Sequence, residues 1–370
     1  MTCSPRSHTS LAAKPDRRST MLTRWTLVGC LALMVATPGL ALAESRDAGL
    51  VVFGTSLSDS GNAFALTGQE STAPDFGLDP LLVPSAPYAI GGHHFSNGAT
   101  WIEQFARSVG LAPSARPAFA APGSAATNYA VGGARAYDDG INVNLTQQVS
   151  AFVTSGRAVR SDALYVLEMG GNDIRDAFIV YAGGGDGGPT LQAALGSIAL
   201  NIQRLYAAGA RDFLVWVAPN VALTPAIRSL GPAAGGLATT LTQAFNGNLA
   251  GVLAQLSAGL PGSSFARLDA FALQNAIVAD PSRFDLSNVT AACVTPSVAP
   301  FQCHDADEFL FWDGIHPTKA GHAILAHEMA RVVHSRAEHD AGAEGWPDGP
   351  SSVRFDRRNA SDVGLVNGVK

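Results

Sequence analysis

The sequence predicts an α/β fold: a central, mainly parallel sheet covered by helices on both faces. Three observations predict it. Short strand-like runs occur at 50–54, 163–169, 212–218 and 264–268. Helical patterns fall after or between them, at about 98–109, 143–155, 190–208, 236–258 and 318–335. Alternation of the two kinds of element calls for parallel strands joined by crossover helices, which bury both faces of the sheet.

Taken in order, the first run is Leu50-Val51-Val52-Phe53, apolar throughout and closed by Gly54, as a buried strand should be. Residues 65–95 are rich in Pro and Gly with scattered aromatics, and read as a long loop. The second run, Ala163-Leu164-Tyr165-Val166-Leu167-Glu168-Met169, leads into Gly170-Gly171-Asn172. Gly183 to Gly188 do not join a strand to a helix as a phosphate cradle would, so they read as a flexible surface turn. Phe53, Phe213 and Trp216 lie in strands and are assigned to the core. No internal repeat or linker interrupts 50–335, so one domain is expected over 44–336. Residues 337–370 are polar and weakly patterned, and read as a disordered tail.

Composition narrows the function. Of 370 residues 47% are apolar and 15% charged, which suits a large core, while 39 Gly and 21 Pro argue for many loops. The formal charge is −6 with no basic stripe, so nucleic acid is not an expected partner. Near the start, Arg24 follows Met21, an apolar stretch covers 27–35, and Ala41-Leu42-Ala43 ends it. This is the layout of a signal peptide over 1–43, with Met21 the better start and cleavage after Ala43. Leu27-Val28-Gly29-Cys30 resembles a lipoprotein cleavage box, but its apolar stretch lies after the cysteine, which argues against an anchor. No other run approaches the ~18 apolar residues of a membrane span. A secreted or periplasmic protein with no integral membrane segment in the mature chain is expected. Cys293 and Cys303 remain after cleavage, and in an oxidising compartment they suggest one disulfide, the alternative being two free thiols.

The chemistry-bearing residues stand at the two ends of the domain. Ser56 lies two residues past Gly54, on the loop leaving the first strand, where a hydroxyl can be presented as a nucleophile. Far downstream, Phe311-Trp312-Asp313-Gly314-Ile315-His316-Pro317 sets an acid and a base three residues apart before a helix. His316 can take the Ser56 proton, and Asp313 can orient and charge-stabilise the imidazolium. Either motif alone would arise by chance, but Asp-x-x-His occurs once here. Asp59, Ser60 and Asn62 read as turn and cap residues, and Asp173 as a helix N-cap or loop brace. The remaining histidines form no His-x-x-x-His or carboxylate-paired pattern, so no metal and no cofactor is expected. Gly-x-Ser-x-Gly is also absent, which argues against a nucleophile elbow.

Residues 53–62, Phe-Gly-Thr-Ser-Leu-Ser-Asp-Ser-Gly-Asn, resemble the first block of the GDSL, or SGNH, hydrolases, with Ser56 as nucleophile. Asn128-Tyr129-Ala130-Val131-Gly132-Gly133-Ala134 is similar to the second block, Gly170-Gly171-Asn172-Asp173 to the third, and Asp313-Gly314-Ile315-His316-Pro317-Thr318 to the fifth. Phe95-Ser96-Asn97-Gly98 and Phe311-Trp312-Asp313 resemble the secreted bacterial lipase, phospholipase and hemolysin branch. The resemblance implies a flavodoxin-like three-layer α/β/α sandwich and a catalytic set of Ser56, Asp313 and His316. It implies an oxyanion hole from the Ser56 and Gly133 backbone N–H groups and the Asn172 amide. It also implies that Asp313→Ala leaves more activity than His316→Ala. The expected substrates are small-molecule or lipid esters, phospholipids among them, with transient contact with lipid surfaces. Acyl transfer to an alcohol fits the same site. A carbohydrate O-acetyl esterase and a non-catalytic ligand-binding relative are the alternatives. One departure stands out: Thr55 occupies a position where the family usually carries aspartate.

Overall fold

In the computed structural model, four strands form the expected parallel sheet: β1 (Leu50–Gly54), β2 (Leu164–Glu168), β3 (Asp212–Val217) and β4 (Ser264–Asp269), side by side in that order. The structure describes residues 49–340, so the signal peptide expected over 1–43 and the part of the expected tail beyond 340 lie outside the described residues. A fifth extended segment runs along the free edge of β1. Val52 N–H donates to Thr127 O (3.0 Å), Tyr129 N–H to Val52 O (2.8 Å) and Val131 N–H to Gly54 O (3.1 Å). The chain therefore leaves β1, returns on one side at 127–131, and then builds β2, β3 and β4 on the other. That reversal of winding beside β1 is the topological switch point of a doubly wound sheet, where the carboxyl ends of strands open a crevice.

Alternate residues of each strand enter different cores, as period-two geometry requires. Val51, Phe53, Tyr165, Leu167, Phe213 and Val215 pack with α3 (Leu145–Val153), α4 (Gly171–Ala182), α5 (Gly188–Ala208) and α7 (Pro232–Gly259). Leu50, Val52, Val166, Leu214 and Trp216 pack on the other face, against α2 (Trp101–Ser108), α8 (Ala270–Ala279) and α9 (Lys319–Asp340). Phe53, Phe213 and Trp216 are buried core residues, as expected. The molecule is an α/β/α sandwich, and burial on both faces explains why β1, β2 and β3 read as near-continuous apolar runs, while β4, at the edge of the sheet, alternates buried and exposed residues.

Several elements differ from the expectation. Helix α4 starts directly after β2, where the turn-like Gly170-Gly171-Asn172 hides it; Gly170 makes the bend at φ 111. Of the glycine run 183–188, residues 183–187 are the short connection from α4 to α5 and Gly188 opens α5. Two short helices, α1 (Asn62–Thr67) and α6 (Pro225–Ser229), lie where no helix is expected from the sequence, α1 running into the start of the 65–95 loop. Helix α9 continues to Asp340, four residues into the segment expected to be disordered, because Ala337 and Glu338 are strong helix formers. A separate two-stranded parallel sheet, β5 (Asn288–Ala292) with β6 (Phe309–Phe311), carries the chain towards Asp313. Cys293 and Cys303 are joined in a disulfide just beyond β5. No helix among the described residues is long and apolar enough to cross a membrane.

Candidate active site

Ser56 leaves the carboxyl end of β1 beside the switch point. The turn that carries it is held from several sides. Gln148 of α3 binds both backbone groups of Gly54, accepting from its N–H and donating to its carbonyl, each at 2.9 Å. Ser58 N–H closes the turn on Thr55 O (3.1 Å). Asp59, fully buried, accepts from the N–H groups of Gly61 (2.8 Å), Asn62 (2.6 Å) and Ala63 (3.0 Å), starting α1, and from Gly132 N–H (2.8 Å). It is therefore a brace of the turn that opens α1, whose N-cap is Gly61, and Asn62 and Ser60 are braces too: Asn62 donates to Asn128 O and Ala130 O, and Asn128 donates to Ser58 O and Ser60 Oγ. These bonds lock the segment 128–134 to the Ser56 loop.

Across this loop, Pro317 ends the Asp313 turn and α9 follows. Asp313 Oδ1 accepts from Ile315 N–H (2.8 Å) and His316 N–H (2.7 Å), which folds the acid back over the base. Three residues of separation therefore suffice to bring the two side chains together. His316 Nδ1 stands 2.7 Å from Asp313 Oδ2, and His316 Nε2 stands 2.8 Å from Ser56 Oγ. With Nδ1–H donating to the carboxylate, Nε2 is left as an acceptor for the serine hydroxyl. All three groups are buried, Ser56 being 8% exposed at the base of a cleft.

Gly133 has φ +80, a left-handed conformation that glycine adopts without strain, and a Cβ there would press on Asn142 Oδ1 at 3.2 Å. Asn172, in the first turn of α4, spends one amide N–H on Ala134 O (2.8 Å), which ties it to the same loop and leaves the second N–H for a ligand. Asp173 braces that loop by accepting from the N–H groups of Ala136 (2.9 Å) and Tyr137 (3.3 Å). Its burial pushes the carboxyl up to about 6 against these hydrogen bonds. Gly170, not Asp173, is the N-cap of α4.

Ser56, His316 and Asn172 open on one cleft of about 580 Å³. Its walls are largely apolar, with Leu78, Leu81, Val83, Phe178, Ile179 and Ile227 among them. Arg135, Arg175 and Asp79 supply polar groups.

Three contributors escaped the sequence reading. Tyr88, in the long 65–95 loop, donates its hydroxyl to Asp313 Oδ2 (2.7 Å), and burial together with that carboxylate keeps the phenol protonated. No local pattern marks a contact spanning that much sequence. Gln148 reads simply as a polar residue on a helix. Glu168 carries a signal, a carboxyl group at the end of an otherwise apolar strand, and it is buried against the Ser56 turn.

The family model described as GDSL-like Lipase/Acylhydrolase matches residues 50–329. The chain belongs to this family. Among curated proteins it is similar to GDSL esterase/lipases of Arabidopsis thaliana. One is 24% identical over 323 residues, covering 76% of this chain and 89% of the relative. Another is 27% identical over 355 residues, covering 83% and 92%. Among solved structures, an extracellular lipase from Streptomyces rimosus aligns with 16% identity and a TM-score of 0.34, over 78% of this chain and 99% of the lipase. A family 3 carbohydrate esterase of Clostridium thermocellum aligns with 13% identity and a TM-score of 0.36, over 80% and 99%. As a GDSL hydrolase the chain is a serine carboxylic ester hydrolase, and the region matched spans β1 to α9.

Proposed function

We propose that this GDSL hydrolase is an exported esterase or lipase that cleaves acyl esters of lipids, phospholipids among them, through an acyl-enzyme on Ser56. The observation that carries the reading is the unbroken line Asp313–His316–Ser56, at 2.7 and 2.8 Å, ending in an apolar cleft. Ser56 Oγ attacks the ester carbonyl carbon as its proton passes to His316 Nε2. The imidazolium so formed is stabilised by Asp313. The oxyanion is held by the Ser56 and Gly133 N–H groups and the Asn172 amide. Collapse of the tetrahedral adduct breaks the ester C–O bond, and His316 returns its proton to the leaving alcohol. Water then attacks the acyl-enzyme with His316 again as base, releasing the acid and restoring Ser56.

The apolar walls support an acyl chain of some length. A carbohydrate O-acetyl esterase would be better served by a shallow polar cleft. Export rests on the signal-peptide pattern of 1–43, and the Cys293–Cys303 bond is in keeping with a secreted or periplasmic location. The test is hydrolysis of p-nitrophenyl esters from acetyl to palmitoyl by the chain lacking residues 1–43, beside Ser56→Ala. Activity that rises beyond acetyl and vanishes in Ser56→Ala is the expected result. Activity confined to acetyl would favour the carbohydrate esterase, and none at any length would favour a binding protein.

A further inference from the structure

Glu168 ends β2 and is the register partner of Gly54, the last residue of β1. It is 1% exposed. Its Oε2 accepts Thr55 N–H at 2.8 Å and the Ser58 hydroxyl at 3.1 Å, and the Thr55 hydroxyl lies 3.0 Å from each carboxylate oxygen. Ser58 Oγ in turn accepts the indole N–H of Trp101 (3.1 Å), which anchors the arrangement to α2. A Cβ on Gly54 would stand 2.9 Å from Glu168 Oε2 and 3.1 Å from Ser58 Cβ, so glycine makes room for the carboxylate to pass beneath the turn. The donors come from the residue before Ser56 and from two residues after it. One carboxyl group thus grips the nucleophile's turn on both sides.

We propose that Glu168 is the positioning residue of the nucleophile: it fixes the turn through Thr55 and Ser58, and so sets the aim of Ser56 Oγ. The proposal rests on the serine esterase reading given above. It also gives Thr55 a reason. A carboxylate at position 55 would face Glu168 at hydrogen-bond range, where two like charges resist joint ionisation. Threonine offers the same carboxylate a hydroxyl donor instead, beside the backbone N–H that any residue at 55 other than proline would give. The line Asp313–His316–Ser56 is separate from this grip, since Glu168 bonds Thr55 and Ser58 while His316 bonds Asp313 and Ser56. Its effect is exerted on geometry, and an error of about 1 Å in aim can cost on the order of 10²-fold in rate.

The experiment is steady-state hydrolysis of p-nitrophenyl butyrate by the wild type, Ser56→Ala, Glu168→Gln, Thr55→Asp and the double variant Thr55→Asp/Glu168→Gln, each checked for folding by circular dichroism. It is run at a pH above the value of about 7 to which burial pushes Glu168, so that the group is a carboxylate. A glutamine has one acceptor oxygen for the three donors, so Glu168→Gln should lower kcat about tenfold or more with KM within about twofold. Thr55→Asp should lower kcat as well. The double variant restores one carboxylate against one uncharged partner, and should recover kcat above both single variants. If Glu168→Gln does not fold, Thr55→Val removes the hydroxyl donor while keeping the carboxylate, and should lower kcat at unchanged KM. Wild-type kcat in Glu168→Gln or Thr55→Val, or losses that simply multiply in the double variant, would overturn the proposal. Activity surviving in Ser56→Ala would instead overturn the serine reading itself, so the two failures are told apart.

Discussion

Asp313 has more to do than its place beside His316 implies. Its two oxygens accept four donors: the N–H groups of Ile315 and His316, the His316 ring N–H and the Tyr88 hydroxyl. The first two shape the turn, the third orients the base, and the fourth ties down the 65–95 loop. His316, by contrast, is the base that faces Ser56 Oγ among the described residues. The two residues should therefore separate by readout. His316→Ala removes the general base and should lower kcat by about 10²–10⁴-fold, while the backbone bonds from residues 315 and 316 to Asp313 that shape the turn stay in place. Asp313→Ala should retain more activity than His316→Ala. It should be the less stable protein, since each buried donor left without a partner costs about 1–3 kcal/mol. Kinetics on p-nitrophenyl butyrate beside thermal unfolding checks both. An Asp313→Ala protein as stable as the wild type would show that the carboxylate does not hold the turn. The Ser56, Asp313 and His316 set was legible because each lies in a short motif at an element boundary. Tyr88 was not, because its role exists only once residues 225 apart in sequence meet.

The elements around the Asp313 turn are built to keep it still. The carbonyl of Leu81 sits 2.0 Å from where a Cβ on Gly314 would lie, so the 65–95 loop can dock on the turn solely because residue 314 has no side chain. Gly314 N–H donates to Leu82 O and its carbonyl accepts from Ala226 N–H, both at 2.9 Å, joining the turn to that loop and to α6. From the other side, Cys293 N–H (3.1 Å) and Val294 N–H (2.9 Å) both reach Trp312 O, one residue before Asp313. The disulfide closes a loop with a sequence separation of 10 at that point. For a loop of that length the expected stabilisation is about 2–3 kcal/mol. The paired variant Cys293→Ser/Cys303→Ser should lose about that much in urea unfolding and also lose kcat, because the loosened segment bears on Trp312. Loss of stability with full kcat would confine the bridge to a structural role. Strand β6, at three residues, and the irregular β5 are too short for periodicity to reveal. The long helices and the four core strands carry enough repeats to be read, and α4 is hidden by the turn residues that open it.

At the scale of the whole molecule, double winding creates the crevice at β1, and two apolar cores press several ionisable groups into the interior behind it. Glu168 is pushed up to about 7 by burial, working against its hydrogen bonds from Thr55 and Ser58, and Asp173 to about 6. His322, on α9, is pushed down to about 3 by burial first and then by the nearby His316, and its Nδ1 finds no hydrogen-bond partner among the described residues. The signs oppose one another. For the two carboxyl groups the folded state binds a proton more readily than the unfolded chain. The stability tied to that proton is present below the ordinary carboxyl range and is lost as pH rises through about 6 for Asp173 and about 7 for Glu168. For His322 the folded state binds the proton less readily. Its contribution is present above the ordinary value of 6.5 and is lost as pH falls from there towards about 3. A fall from pH 7 to 5 should therefore cost the wild type about 2 kcal/mol through His322 alone, at about 1.4 kcal/mol per pH unit below 6.5. His322→Leu removes that proton site and leaves no unpaired nitrogen behind. In urea unfolding at pH 7 and pH 5, the stability of the wild type relative to this variant should drop by that amount on acidification, whatever the carboxyl groups do, since they are common to both proteins. A difference that stays constant with pH would mean that His322 takes up its proton in the folded state as easily as in the unfolded one, and that the core behind His316 is open to water.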